Sequence, residues 1–348
     1  MNATWLSYTA FAVVCVLLLT LPFVPAFREW LNPTDYAALP VSANYTADID
    51  HFARRLHADV SARLGEGKPT GYENFDMLAG SPEGVDWQGT TRRLIATQSL
   101  RTDNGINSKR QLYVEGHLKT GERSLFPSVY ATGDLTLGAY SEVHDWAHAG
   151  GTLSIGHHGV AMRRVSSGER VGLGEEVWFE RVHAPSVTFG DERVEPGVDT
   201  APRAPGAAAR YDDIAGAVRR TPSLYFVQGD CSLPPGGVYD GGLVVTGFLT
   251  IGAGTTVRGD VKARDGLTLG VGATVLGAIT CEHRVHLAEG AAADGPVVSE
   301  SDILLDAGSV VGLSDGLTTV TARNIIARPG ARVHGTVWAH EVGLVTSA

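Results

Sequence analysis

CSLPPGGVYDGGLVVTGF (Cys231–Phe248), LTIGAGTTVRGDVKARDG (Leu249–Gly266), LTLGVGATVLGAITCEHR (Leu267–Arg284) and VHLAEGAAADGPVVSESD (Val285–Asp302) are successive copies of one unit of 18 residues. A longer copy follows, ILLDAGSVVGLSDGLTTVTARN (Ile303–Asn324), and then IIARPGARVHGTVWAHEV (Ile325–Val342). Glycine holds the sixth position of all six copies, as Gly236, Gly254, Gly272, Gly290, Gly308 and Gly330. Self-similarity at a fixed period of this size marks a solenoid, in which each repeat is one coil that cannot bury its inner face alone. Within the unit a finer period of six places Ile251, Val257, Ala263, Leu269, Val275, Cys281 and Leu287 inward, three steps to a coil. Each step reads as a short strand with alternate side chains inside, followed by a turn where glycine reaches positive φ without a Cβ clash. The expectation is an all-β fold, a β-helix of ~18 residues per coil with strands stacked ~4.8 Å apart. The four extra residues of the longer copy fall around Gly312–Thr318 and read as an outward loop.

The pattern returns earlier in LTLGAYSEVHDWAHAGGT (Leu135–Thr152) and LSIGHHGVAMRRVSSGER (Leu153–Arg170), and a shorter copy from Val171 hands over to Val187 and Phe189. The chain therefore reads as an internal duplication: a first, irregular lobe over residues 111–190 and a regular one over 223–348. The stretch between them, 191–222, has the Pro/Ala/Gly composition of a linker. Ahead of the first lobe, residues 31–110 carry an amphipathic helix at 46–64, with Ile49, Phe52, Leu56, Val60 and Leu64 on one face. It reads either as a juxtamembrane docking helix or as a cap on the open end of the first lobe, because solenoid ends need caps. Residues 65–110 offer only a strand at Leu94–Leu100.

With 348 residues, 43 Gly and 19% charged side chains, the chain can bury a large core and is not of disordered composition. A formal net charge of −10 without a basic stripe argues against a nucleic-acid surface. Cys15, Cys231 and Cys281 are far apart and form neither a disulfide framework nor a zinc motif. Cys281 falls in an inward column and reads as a small core hydrophobe.

The first charged side chain is Arg28, and Tyr8–Phe27 (YTAFAVVCVLLLTLPFVPAF) is nearly all apolar. Twenty helical residues span ~30 Å, the hydrocarbon thickness of a bilayer. A cleaved signal peptide wants a basic start and a small-x-small site, and neither is evident. The expectation is a retained transmembrane helix within residues 1–30, with Tyr8, Phe11, Val14, Leu18, Leu21 and Phe27 facing lipid. Arg28 is the one basic residue beside it, so the charge rule places the bulk of the chain on the cytoplasmic side of an inner membrane.

Chemistry is sparse. His144, His148, His157 and His158 cluster in sequence, but in a β pattern they read as outward, solvated side chains rather than metal ligands. Gly65–Thr70 lacks the phosphate-loop spacing. No catalytic, cofactor or metal residue is assigned. The last coil, Ile325–Val342, is followed only by GLVTSA, too short for a cap, and an open β-edge recruits another strand. Ile325, Val337, Val342 and Leu344 are therefore expected at a self-association interface.

The cadence of Leu243–Ile279, LVVTGFLTIGAGTTVRGDVKARDGLTLGVGATVLGAI, resembles the repeats of the bactofilins, polymer-forming bacterial cytoskeletal proteins built on a right-handed β-helix. The resemblance covers roughly the last third of the chain. It implies a non-enzymatic, membrane-attached scaffold that self-associates through its solenoid ends, with itself, membrane lipid and envelope-building proteins as partners. The transmembrane helix, the long segment after it and the second lobe depart from that family. Two other readings stay open: a left-handed β-helix acyltransferase using His283 or His286 as base, and a monomeric membrane-tethered binding scaffold.

Overall fold

The computed structural model describes residues 3–31, 47–65, 75–78, 81–190 and 207–347. The chain divides into two units, Met1–Ala47 and Asp48–Ala348. The first contains helix α1 (Ala3–Thr20), a 3-10 turn at Leu21–Phe23 and helix α2 (Val24–Leu31). Pro22 stands at the start of that turn and has no amide to donate, so the single helix expected over Tyr8–Phe27 is broken in two. Among the described residues no helix is long and apolar enough to cross a membrane.

The second unit is a β-solenoid. In its C-terminal lobe Leu249, Leu267, Val285 and Ile303 stand in parallel register, each 18 residues after the last, and all are fully buried. The other two inner faces behave alike, with Val261 on Ile279 and Val257 on Val275. The offset becomes 22 between Ile303 and Ile325, and Leu313 and Leu317 lie exposed between them, so the extra residues do form an outward loop. Aspartates tie coils together at the same spacing: Asp134 accepts from the amide of Thr152, Asp230 from Phe248 and Asp260 from Ala278, each at 2.8 Å. Cys281 is buried in an inner column, as its position predicts.

The first lobe begins earlier than residue 111. Phe75–Met77 pairs with Arg93–Ala96, which pairs with Leu112–Val114. These coils hide in the sequence because their outer positions are apolar too: helix α3 (His51–Gly65) packs on them, burying Ala53, Leu56 and Val60 against Ile95, Tyr113, Tyr130 and Trp146. The amphipathic helix thus covers a flank of the first lobe, not its open end. Phe52, expected on the same apolar face, remains nearly half exposed with the Arg164 guanidinium 5.0 Å over its ring.

The two lobes meet tail to tail. Strand Trp178–Phe189 ends the first lobe, strand Arg332–Val345 ends the second, and they pair antiparallel, with Val182 opposite Val337 and Val187 opposite Val333. The amide of Glu176 donates to Val345 at 2.8 Å and that of Gly330 to Phe189 at 2.8 Å, extending the pairing around the coil. Phe179, Val182, Val187, Phe189, Val333 and Val337 are buried there in one core continuous through both lobes. Parting the lobes would expose one side of this apolar surface, at about 25 cal/mol per Å², and leave the amides and carbonyls of both edge strands without partners.

The described part of the expected linker, residues 207–222, is ordered as part of the second lobe. Ala207–Ala209 pairs with Gly237–Asp240, and Ala217–Thr221 forms a hairpin with Leu224–Val227. Between them Tyr211 is buried at the end of the core, 4.6 Å from the Tyr225 ring and 4.9 Å from Tyr239, and its hydroxyl donates to Gly241. Residues 191–206, and the stretch Glu66–Thr70 that follows Gly65, lie outside the described residues.

Two glycines separate conformation from space. Gly272 has φ +64° with nothing within 4 Å of an added Cβ, whereas a Cβ on Gly277 would lie 2.7 Å from the Gly259 backbone. Gly272→Ala should cost about 1 kcal/mol, the left-handed penalty alone. Gly277→Ala should cost clearly more, because coils would have to separate. Urea unfolding of the two variants checks the order.

Candidate functional site

Two surfaces of the first lobe carry more chemistry than a solenoid needs. On the flank under α3, one outward column reads Ile95, Tyr113, Tyr130, His148, Ser166, His183 and then, across the junction, Thr336. Strand stacking brings equivalent side chains face to face, so Tyr113 and Tyr130 stack at 5.0 Å and Tyr130 and His148 at 5.1 Å. His57 of α3 lies parallel to the Tyr130 ring at 5.2 Å and shares a 2.9 Å hydrogen bond with the Tyr113 hydroxyl. His148 Nδ1 is 2.8 Å from Ser166 Oγ, and His183 Nδ1 is 2.9 Å from Thr336 Oγ1. Burial pushes the Tyr130 phenol up to about 12, with Tyr113 and Asp50 adding to the shift. Burial likewise holds both His148 and His183 below the usual imidazole range, against the opposing pull of Asp50. The seam is therefore a neutral, hydrogen-bonded face that seats α3. It offers no ionised nucleophile.

The second surface is a corner. Where the C-terminal lobe turns with glycines at φ 63–90°, the first lobe turns in the same conformation with Arg123, Tyr140, His158 and Glu176, at φ 56–59°. LTLGAYSEV against LTIGAGTTV shows the replacement directly: Tyr140 stands where Gly254 stands. A side chain in the left-handed region costs about 1–2 kcal/mol at each position. The backbone amides need no help there, since Tyr140 donates to His157 and His158 to Glu175, both at 2.9 Å. The side chains form a ladder on the outside, with Tyr140 stacked on His158 at 4.8 Å and Arg123 5.9 Å over the Tyr140 ring. Beside it runs a shallow groove of about 510 Å³, lined among others by Asp103, Asn104, Lys119, Glu122 and His157. Its floor is backbone, because Gly121 and Gly138 lie too close to the preceding coil to carry a Cβ. The sequence signal for this corner was present as the loss of glycine at the sixth position of the first-lobe copies.

The residues singled out from sequence fall as follows. Tyr8, Phe11, Val14, Leu18, Leu21 and Phe27 belong to the N-terminal unit, and five of the six are at least 60% exposed, Val14 51%. Val337 and Leu344 pair with Val182 and Trp178 of the same chain, and Ile325 is fully buried between Ile303 and Gly343. Val342 pairs with Asn324. The open C-terminal edge from which self-association was argued is thus occupied by the first lobe. His157 and His158 are exposed, as expected, and His144 pairs with Glu142 at 3.1 Å, but His148 is covered by α3. Among the described residues no group of His, Cys, Asp and Glu could hold a metal ion. Of the two histidines considered as a base, His283 Nδ1 is 3.0 Å from the Arg264 carbonyl. His286 shares a hydrogen bond of 2.8 Å with Asp306, whose carboxylate is also 3.3 Å from the Arg328 guanidinium.

No family model, curated protein or solved structure matches the chain.

The seam sets a pH dependence. The folded state keeps His148 and His183 neutral more strongly than the unfolded chain does, so their contribution is complete above pH ~6.5 and is lost as pH falls below it. Thermal unfolding should show Tm falling by several degrees between pH 7.5 and pH 5. The doubly substituted His148→Gln, His183→Gln chain should show a flatter profile over the same range.

Proposed function

We propose that this chain is a non-enzymatic scaffold: a β-solenoid whose two C-terminal coils are joined to each other within the chain, held at a membrane surface by its N-terminal apolar segment and working through its flanks. The observation that carries the reading is the antiparallel pairing of Trp178–Phe189 with Arg332–Val345. A bactofilin-like polymer joins chains through solenoid ends, and here the two C-terminal coils already meet each other. At the start of the second lobe Tyr211 and the hairpin of Ala217–Thr221 with Leu224–Val227 close the core, and Arg219 and Arg220 place charge on that outer strand. Among the three readings taken from sequence, these features favour the monomeric tethered scaffold over the polymer, within a bactofilin-like, right-handed architecture.

Membrane attachment rests on the N-terminal unit. Its apolar side chains are exposed all around the helix rather than along one stripe, and a surface of that kind needs lipid or protein to cover it. The hydroxyls of Thr9 and Thr20 donate back to the helix carbonyls of Trp5 and Val16, at 3.0 and 2.8 Å, so they need no water. Placement on the cytoplasmic side of an inner membrane follows from Arg28 and belongs to the same proposal.

Two measurements test it. Sedimentation of the chain lacking residues 1–47 should give a monomer at all concentrations, and filaments or concentration-dependent oligomers would overturn the scaffold reading in favour of the polymer. The full chain should float with liposomes and resist carbonate extraction, whereas the truncated one should remain in the soluble fraction.

A further inference from the structure

We propose that the strand Ala217–Thr221, at the start of the second lobe, receives an acidic extended segment of a partner protein as an added strand; this rests on the scaffold reading and names a partner the scaffold takes. Three observations converge there. First, the strand has one neighbour. It pairs antiparallel with Leu224–Val227, which continues in parallel to Gly242–Val245, and among the described residues no strand pairs with its other side. Alternate residues of an antiparallel strand turn both N–H and C=O away from the partner, so that side presents unpaired backbone groups. Every residue of the strand except Ala217 is exposed. The Arg219 guanidinium donates to the Thr221 and Pro222 carbonyls, at 3.3 and 2.7 Å, and so ends the open row there.

Second, the charge on this strand is uncompensated. In the same lobe Arg210, Arg258, Arg264, Arg284, Arg323 and Arg328 each lie 3.3–3.8 Å from a carboxylate. Among the described residues Arg219 and Arg220 have no such partner. Arg219 meets the two carbonyls and lies 5.9 Å over the Tyr225 ring, and Arg220 lies 5.0 Å over Phe226. Tyr225 is buried at the core and Phe226 faces outward, so the two guanidinium groups flank the open edge on opposite sides. An incoming strand with two adjacent acidic residues sends one carboxylate to each side.

Third, the outer face at this edge is apolar. Val218, 50% exposed, stands opposite Phe226, which stands beside Val244. A β-branched side chain on the added strand extends that strip, while its backbone supplies the missing hydrogen bonds. A second copy of this chain does not fit, because two such strands set antiparallel about a two-fold axis bring arginine against arginine. The charges that keep copies from pairing thus select a partner of opposite sign. The free edge of the first lobe lacks these features: Phe75–Met77 is three residues long, and Arg92 beside it is paired with Asp76 at 3.4 Å.

The test titrates the full chain, in a zwitterionic detergent, into the fluorescein-labelled octapeptide Gly-Thr-Val-Asp-Glu-Val-Thr-Gly and follows anisotropy. Saturable binding is expected, with slowed hydrogen exchange of the amides at residues 218–220. Binding should be at least tenfold weaker for the peptide carrying Asn-Gln in place of Asp-Glu, and for one carrying proline in place of the second valine. The doubly substituted Arg219→Gln, Arg220→Gln chain, altered only at exposed positions, should keep a Tm close to the parent's and bind at least tenfold more weakly. Lack of saturable binding at millimolar peptide overturns the proposal, as does unchanged binding in the double variant. Equal binding of the proline peptide also overturns it, because attraction of charge would then act without strand pairing. An oligothymidylate that binds as tightly as the acidic peptide overturns it in favour of a general polyanion surface. Sedimentation of the same samples keeps the two readings apart: a polymer that binds the peptide overturns only the monomeric scaffold, and a monomer that binds none overturns only the added strand.

Discussion

A stack of parallel coils always ends in a row of unpaired amides and carbonyls, and this chain meets that requirement by turning two such ends against each other. The antiparallel contact of Trp178–Phe189 with Arg332–Val345 is where both lobes stop. Coil order runs towards it from each side, and the inner columns continue through it without a break. Each coil relies on the next for its backbone partners, so the regularity of the whole second unit rests on this closure.

The junction also sorts the surfaces. Joining the two C-terminal ends removes them as places where a partner could dock, and the flanks of the two lobes differ. The second lobe is dressed with ion pairs between coils, such as Arg258 with Asp240, which is exposed and contributes little, and Arg284 with the half-buried Asp302. The first lobe carries α3 on one face, seated on the Tyr113–Tyr130–His148 stack, and the strained Arg123–Tyr140–His158–Glu176 ladder at a corner. A duplicated fold has thus kept one copy close to the structural minimum while the other took on side chains that stacking alone does not explain.

What could be read from the sequence follows from what repeats. The second lobe was legible almost residue by residue, because its core demands Leu, Ile, Val or Ala at fixed steps and its turns demand glycine. The outward loop at Gly312–Thr318 was legible for the same reason, as an interruption of a strict register. The first coils of the first lobe showed only as the strand read at Leu94–Leu100, which the structure resolves into Arg93–Ala96 and Leu100–Arg101, because α3 buries the outer face of Ile95 and Tyr113 and so erases the alternation that marks a strand. The tail-to-tail joint left no local trace either. His183 and Thr336 share a hydrogen bond across 153 residues, and no period connects them. Reasoning from the last coil alone correctly identified an edge in need of a partner, and placed that partner in a second molecule. The break of the N-terminal apolar stretch at Pro22 was foreseeable from the residue, which removes an amide where a continuous helix needs one.

The central claim is that the two C-terminal coils meet within one chain. It is tested most directly by replacing the opposed pair His183 and Thr336 with cysteine, since directly opposed side chains have Cβ atoms about 5 Å apart, within a small adjustment of disulfide geometry. Mild oxidation at low protein concentration should give a disulfide within the monomer, identified by mass spectrometry as a link between the peptides holding positions 183 and 336. A disulfide found only in covalent dimers, or none under conditions that oxidise a control pair inside one lobe, would contradict the account.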